Sequence, residues 1–333
     1  MIIQTPFLNA FAALGNALEN IPAHLLLDAK HRNPWFDEEN VSKAAHAWAS
    51  ELKEHNLNQW LANYMFTEKP KRVAIIMAGN IPFVGLHDLL CIIASGNIAL
   101  CKLSSDDTVL MKYCIEILNS ELPSKIEYIE RVKDADAVIA TGSNNSAKIF
   151  ETYFSHLPNI IRRNRTAVAV LTGHETSEDL TLLGSDIFAY YGLGCRNVSK
   201  LFVPAGYDFT NFFESIFGYG NIVNHHKYAN NYDYNKAIYL MGQEKFLDNH
   251  FLMLREDNIS LHSPLSVLFY SYYESIEAIR KTLHELDNEI QCVVSKINLN
   301  LERQVGFGKT QQPKLWDYAD GIDTMKFLNQ LSL

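Results

Sequence analysis

RVAIIMAGNIPFVGLHDLLCIIASGNIALCKL, residues 72–103, decides the fold. It opens on a short apolar run rich in β-branched residues (RVAIIMA), passes a Gly-Asn-Pro turn into apolar residues at helical spacing (PFVGLHDLLCIIAS), and ends on a second apolar run (NIALCKL). That reads as strand, turn, helix, strand. The pattern continues with a helix in DDTVLMKYCIEILNSEL, a strand in DAVIAT and a helix in SNNSAKIFETYFSHL. Alternation of this kind predicts a parallel sheet with crossover helices, whose strands are near-continuously apolar because both faces are covered. Ligands of such sheets bind beyond the carboxyl ends of the strands, so the turns that follow strands are the first places to look for chemistry.

Outward from this stretch, residues before 70 read as helical, with VSKAAHAWASELKEHNLNQWLANYMF as one long pattern. Beyond it, TAVAVL reads as a strand and TSEDLTLLGSDIFAYYG as a helix with a Thr/Ser cap and early acids. A second lobe follows through DFTNFFESIFGY, the strand-like SPLSVLFYSYY, the helix ESIEAIRKTLHEL and the strand EIQCVVS. Periodicity assigns no packing role to the final GFGKTQQPKLWDYADGIDTMKFL. A chain of 333 residues, 47% hydrophobic, suits two packed lobes better than one. A net charge of -9 without a long basic run argues against a nucleic-acid surface. No window approaches the length of a membrane span, and the N-terminal stretch lacks the basic start and unbroken apolar core of a signal peptide, so a cytoplasmic location is expected.

Three turns and one cysteine carry candidate chemistry. In AGNIPF (Ala78–Phe83), Asn80 either projects an amide over the sheet's end or caps the helix whose first turn Pro82 presets. In CKLSSDD, Lys102 with Ser104 and Ser105 suits a ribose or phosphate oxygen, the alternative being a surface lysine with serines that cap the next helix. In ATGSNNSA, Thr141, Gly142 and Ser143 lead into a helix start suited to phosphate, although the three-glycine dinucleotide pattern is absent. Cys195, in YYGLGCRNVSK, lies between glycines and a polar run. The other four cysteines (Cys91, Cys101, Cys114, Cys292) sit in apolar surroundings as small core residues; there is no CxxC pair to suggest a disulfide framework or zinc site. His225 and His226 are adjacent without a third ligand nearby, so no metal is expected.

Taken in order along the chain, the Asn turn, the Lys-Ser turn, the TGS turn and the Gly-flanked cysteine resemble the aldehyde dehydrogenase superfamily. They are most similar to its LuxC-type acyl-CoA reductases, the fatty acid reductase branch, through MAGNIPFVGLHDLL, ATGSNNSA, GLGCRNVSKLFVP and LWDYADGIDTMKF, over about residues 70–333. The resemblance implies an α/β, aldehyde dehydrogenase-like fold of two lobes, each with a mainly parallel sheet flanked by helices. Residues 1–70 would pack on a nucleotide-binding lobe of residues 71–165, followed by a catalytic lobe of residues 166–305 and a segment, 306–333, that returns toward the cofactor lobe. It further implies that Cys195 is the nucleophile toward an acyl thioester and that the Asn80 side chain and the Cys195 N–H form an oxyanion hole. Ala78, Gly79, Lys102, Ser104, Ser105, Thr141, Gly142 and Ser143 would then bind the cofactor.

Two departures from the family matter. The glutamate that activates water in aldehyde-oxidising members is replaced by Ile161, and the glutamate that holds the nicotinamide ribose by Ser260. The first favours thioester reduction, in which CoA thiolate leaves and no water need be activated. Ser105 stands where NAD-using relatives often place an acid, so NADPH is the expected cofactor, with NADH admitted. The expected partner is an acyl-CoA or an acyl-carrier thioester, and a homo-oligomer or a partner subunit fits as well. Two other readings stay open: a non-catalytic interaction subunit with the same fold, and a semialdehyde or acyl-phosphate dehydrogenase.

Overall fold

The computed structural model describes residues 5–331 and divides the chain into two compact units. One runs to Asn164 and resumes at Lys314; the other is Arg165–Pro313. The first unit opens with helices α1 (Thr5–Glu19), α2 (Ala23–Arg32), α3 (Glu38–Glu51) and α4 (Glu54–Leu61). The expected long helix is two because the chain breaks at Leu52–Lys53. Asp37 caps α3 by accepting the Asn40 N–H at 2.7 Å, and Val41, Ala44, Ala45 and Ala49 bury one face at helical spacing.

Next come β1 (Arg72–Ile76), α5 (Leu86–Ala94), β2 (Ile98–Lys102), α6 (Thr108–Glu121), β3 (Ile126–Tyr128), β4 (Ala137–Thr141), α7 (Asn144–Phe154) and β5 (Asn159–Arg162). Their sheet is parallel throughout, in the order β3-β2-β1-β4-β5. The chain winds outward from β1 to β3, then returns to the other side of β1 for β4, which makes the β1/β4 boundary a topological switch point. Ile76 is level with both Lys102 and Ala140, so the turns after β1, β2 and β4 emerge along one edge.

The second unit holds β6 (Thr166–Val170), α8 (Ser177–Phe188), β7 (Val198–Pro204), α9 (Thr210–Ile216), α10 (His226–Met241), β8 (Leu247–Asp248), β9 (Met253–Glu256), β10 (Val267–Tyr273), α11 (Ile276–Glu285), β11 (Ile290–Val294) and β12 (Gln304–Val305). Its sheet runs β12-β11-β6-β7-β10-β9-β8 and is parallel except for the β8–β9 pair at its edge. A Thr176–Asp179 capping box starts α8. Gly184 inside that helix admits the Tyr219 ring, since a Cβ there would lie 2.4 Å from Tyr219 Cε2. His225 and His226 stand at the start of α10, His225 as its N-cap. Part of the polar C-terminal stretch belongs to this unit: buried Asp186 on α8 accepts N–H bonds from Gly308 (2.7 Å) and Thr310 (3.0 Å) and the Thr310 hydroxyl (2.8 Å).

After Lys314 the chain belongs to the first unit and ends in α12 (Thr324–Gln330). His87 Nε2 lies 2.8 Å from the Leu315 carbonyl. Trp60 Nε1–H donates to the Tyr318 hydroxyl (2.8 Å), which donates to Tyr64 (2.8 Å), which donates to Asp323 (3.0 Å). Arg162 anchors the segment from the sheet. It pairs with Asp88 of α5 at 2.6 Å and donates to Thr324 (2.9 Å) and to the Ala319 carbonyl (2.9 Å). Burial would raise the Asp88 carboxyl, but the charge and hydrogen bonds of Arg162 outweigh it and hold the group below the usual carboxylate range.

A depressed folded-state pKa adds stability above the unfolded value and loses it on acidification through the folded one. The urea midpoint should therefore fall as pH drops below about 4, and fall less steeply in Asp88→Asn. Asp88→Ala, which strands a buried guanidinium, should cost about 3–5 kcal/mol in urea unfolding at neutral pH.

Candidate active site

The edge where β1, β2 and β4 end gathers most of the predicted residues. Ala78, Gly79 and Asn80 follow β1, with Asn80 exposed. Asn80 does not cap α5: that helix starts at Leu86 with Gly85 at its N-cap, and Pro82 lies in the preceding turn rather than in the helix. The displacement has a local cause. Phe83 has φ 59, which ends any right-handed turn there, and its N–H donates to buried Asp107 at 2.8 Å. The turn after β2 packs against the turn after β1 so closely that a Cβ on Gly79 would lie 2.4 Å from Ser104 Oγ. Lys102 Nζ donates to the Glu130 carbonyl at 3.0 Å and lines a cleft of about 580 Å³ with Lys112, Glu116 and Tyr128. Ser105 is exposed, and its hydroxyl donates to Asp106 at 3.3 Å.

At the third turn Ser143 caps α7 by accepting the Ser146 N–H at 3.2 Å. A Cβ on Gly142 would sit 2.8 Å from Ser146 Cβ, so only glycine lets the chain pass from β4 into α7 this tightly. The three turns, the α7 N-terminus and the cleft beside Lys102 form an edge that can hold the phosphates and a ribose of a dinucleotide.

The second unit presents Cys195. Among the described residues it is the one exposed cysteine; Cys91, Cys101, Cys114 and Cys292 are buried. Burial pushes the thiols of Cys91, Cys101 and Cys114 well up and that of Cys292 to about 12, which keeps them protonated at neutral pH. Unlike the three turns above, the cysteine turn precedes its strand, at the amino end of β7.

The local fold explains the exposure. Helix α8 stops at Phe188, and the expected helical residues beyond it turn left-handed at Tyr190 (φ 50), Tyr191 (φ 59) and Gly192 (φ 82). Such a run is unfavourable for tyrosine and is held by burial of Tyr190 and by the His225 ring, 4.3 Å from Tyr191. Asn197, which the sequence reading overlooked, fixes the turn itself. Its Oδ1 accepts the Gly194 N–H at 2.8 Å, and its Nδ2 donates to the carbonyls of Asp186 (3.1 Å), Ile187 (3.3 Å) and Ala189 (2.8 Å), the open end of α8. The Asn197 N–H closes the turn onto the Gly194 carbonyl at 3.0 Å. The only signal in the sequence was a polar residue two positions past the cysteine at the head of an apolar strand.

No family model matches the sequence, and no curated protein matches it. Solved structures do. An oxidoreductase from Marinobacter aquaeolei aligns with 94% of this chain and 79% of its own, at TM-score 0.66 and 10% identity. An indole-3-acetaldehyde dehydrogenase of P. syringae, solved with NAD+ and IAA, aligns over 86% and 71%, at 0.64 and 12%. Aldehyde dehydrogenase C of Pseudomonas syringae, solved with NAD+ and octanal, aligns over 91% and 76%, at 0.64 and 12%. The fold is that of the aldehyde dehydrogenases.

The two residues expected from the resemblance to replace family glutamates, Ile161 and Ser260, have structural settings of their own. Ile161, in β5, packs with Phe150 and Phe154 against the apolar face of the first sheet. Ser260 lies in an exposed loop whose backbone is held by Asp257, which accepts the Ser260 N–H at 2.7 Å, and by Lys200, which donates to the Ser260 carbonyl at 3.0 Å. Lys200 is 1% exposed, and burial holds its ammonium below the usual lysine range. Among the described residues no helix is long and apolar enough to cross a membrane.

Brief treatment of the native protein with iodoacetamide should modify Cys195 and spare the other four cysteines, as read by peptide mass. Asn197→Ala, which leaves the Gly194 N–H and the α8 carbonyls without their partner, should lower stability by about 1–3 kcal/mol in chemical denaturation.

Proposed function

We propose that this chain is a nicotinamide-dependent reductase of acyl thioesters, with acyl-CoA as the acyl donor and the aldehyde as product. The observation that carries the proposal is the exposed Cys195 turn on an aldehyde dehydrogenase fold; it is supported by Ile161 standing where the resemblance places the water-activating glutamate. Cys195 Sγ attacks the thioester carbon, and negative charge builds on the carbonyl oxygen. By the resemblance, the Cys195 N–H and the Asn80 amide donate to that oxygen; one such donor lowers the barrier by about 3 kcal/mol. The carbonyl re-forms as CoA thiolate leaves, and the acyl group stays on Cys195.

A reduced nicotinamide, when bound, supplies hydride to the acyl carbon. The residues named at the β1, β2 and β4 turns are its proposed cradle, with Lys102 and Ser104 toward the adenosine ribose and the Gly142–Ser143 turn toward phosphate. The tetrahedral adduct on Cys195 then expels the thiolate and yields the aldehyde. Ser105 offers a hydroxyl rather than a carboxylate where a 2′-phosphate would approach, which supports NADPH.

Incubation with acyl-CoA in the absence of nucleotide should add the mass of one acyl group. Cys195→Ala should abolish both that adduct and turnover, and Cys91→Ala should leave both intact. A wild-type protein that stays unmodified by every acyl-CoA tried overturns the reading and favours a subunit that keeps the fold without the reaction. For the cofactor, kcat/KM with NADPH should exceed that with NADH by about tenfold, the effect of one added favourable contact to the phosphate; equal values would refute the NADPH preference.

A further inference from the structure

The turn that carries Asn80 and the turn that carries Ser104 and Ser105 are fastened together by a buried acid with no part in the proposed chemistry. Asp107 stands at the N-cap of α6, yet its side chain makes no capping bond to that helix. It reaches back along the sequence instead, and its Oδ2 accepts the N–H of Phe83 at 2.8 Å. Asp107 is 2% exposed and Phe83 is fully buried in a left-handed conformation that its surroundings must fix. Only Ile81 and Pro82 separate Asn80 from Phe83, and Pro82 stiffens the link. On the other side of Asn80, Gly79 lies so close to the second turn that a Cβ would meet Ser104 Oγ at 2.4 Å and Asp106 Cβ at 3.1 Å. The stretch Ser104–Asp107 thus grips the chain on both sides of Asn80. The grip is held against a penalty, because the second oxygen of Asp107 is buried without a hydrogen-bond partner and burial pushes the carboxyl well up. An apolar side chain would fill the space without that penalty, but it could not accept the Phe83 N–H.

Resting on the roles proposed above for Asn80 and for the Lys102–Ser105 turn, we infer that Asp107 is a positioning residue that locks the two turns into one rigid unit, so that a dinucleotide held at the second turn fixes the Asn80 amide at the first. The test is hydrogen exchange by mass spectrometry on the full chain, with and without NADPH, alongside steady-state kinetics with acyl-CoA. In the wild type NADPH slows exchange across residues 77–85. Asp107→Leu loses that protection and lowers kcat by about a hundredfold with little change in the KM for acyl-CoA. Asp107→Asn keeps a carbonyl acceptor for Phe83 and retains both protection and turnover. Asp107→Ser is tolerated at a helix start but stops short of Phe83, and it repeats the losses of Asp107→Leu should the leucine variant not fold. In an Asn80→Ala background the substitution at Asp107 causes no further fall in kcat, because the group it positions is gone. Protection of residues 77–85 that survives in Asp107→Ser, or a loss of kcat that multiplies in full with that of Asn80→Ala, overturns the coupling while leaving the proposed roles intact. A wild type that NADPH does not protect, together with an Asn80→Ala variant that turns over normally, overturns those roles and the coupling with them.

Discussion

Parallel register is the constraint on which the first unit's chemistry depends. Because Ile76 sits opposite both Lys102 and Ala140, three strands end at one level and three turns emerge side by side. Everything else at that edge is a consequence of the crowding this creates. Gly79 has no room for a side chain beside Ser104, Phe83 is forced left-handed into the reach of Asp107, and Gly142 must let β4 pass straight into the capped start of α7. A slip of one residue in either pairing would turn every side chain of that strand to the opposite face and separate the turns.

The cysteine is presented by a different device. No strand end delivers it; a helix end does. Helix α8 terminates in a left-handed run, and its unpaired carbonyls would be a liability if Asn197 did not bind three of them with one amide. The same amide's oxygen holds Gly194, so the helix end and the thiol-bearing turn are one hydrogen-bonded structure. Asp186 extends it, tying the Gly308–Thr310 segment to the same helix turn. The thiol owes its exposure to polar groups that are themselves buried, while the four cysteines in apolar surroundings are buried with their strands and helices.

The longer buried strands of both sheets were legible because they are short apolar runs, and RVAII, IALCK, AVIAT, TAVAV and IQCVV stand out against the helices between them, whereas β3, β5, β8, β9 and β12 were not read. Where the reading failed, a tertiary contact had overridden a local signal. Pro82 looked like a helix start, but the Phe83 N–H finds Asp107, twenty-four residues later in sequence, and the helix waits until Leu86. YYG looked helical because nothing in a tyrosine pair announces positive φ. The C-terminal stretch had no period to read, since its anchors (His87, Trp60, Tyr64, Arg162) are distant in sequence and act one residue at a time. Of the candidate site, the turns and the cysteine could be proposed from residue type and order. Asn197 and Asp107 could not, because their roles lie in what they reach.

The absence of an acid at residue 161 follows from the strand that carries it. Adjacent residues of β5 face opposite ways. Arg162 is committed to the Asp88–Thr324 cluster that anchors the C-terminal segment, so Ile161 must face the other side, where Phe150 and Phe154 cover the sheet. A carboxylate there would be set against aromatic rings, at a desolvation cost that the apolar neighbours could not offset. An ionised side chain at residue 161 and the arginine anchor on the next residue are therefore demands on one strand with opposed consequences for what surrounds it. On the proposed chemistry no acid is called for at residue 161, since reduction of an acyl thioester needs no activated water.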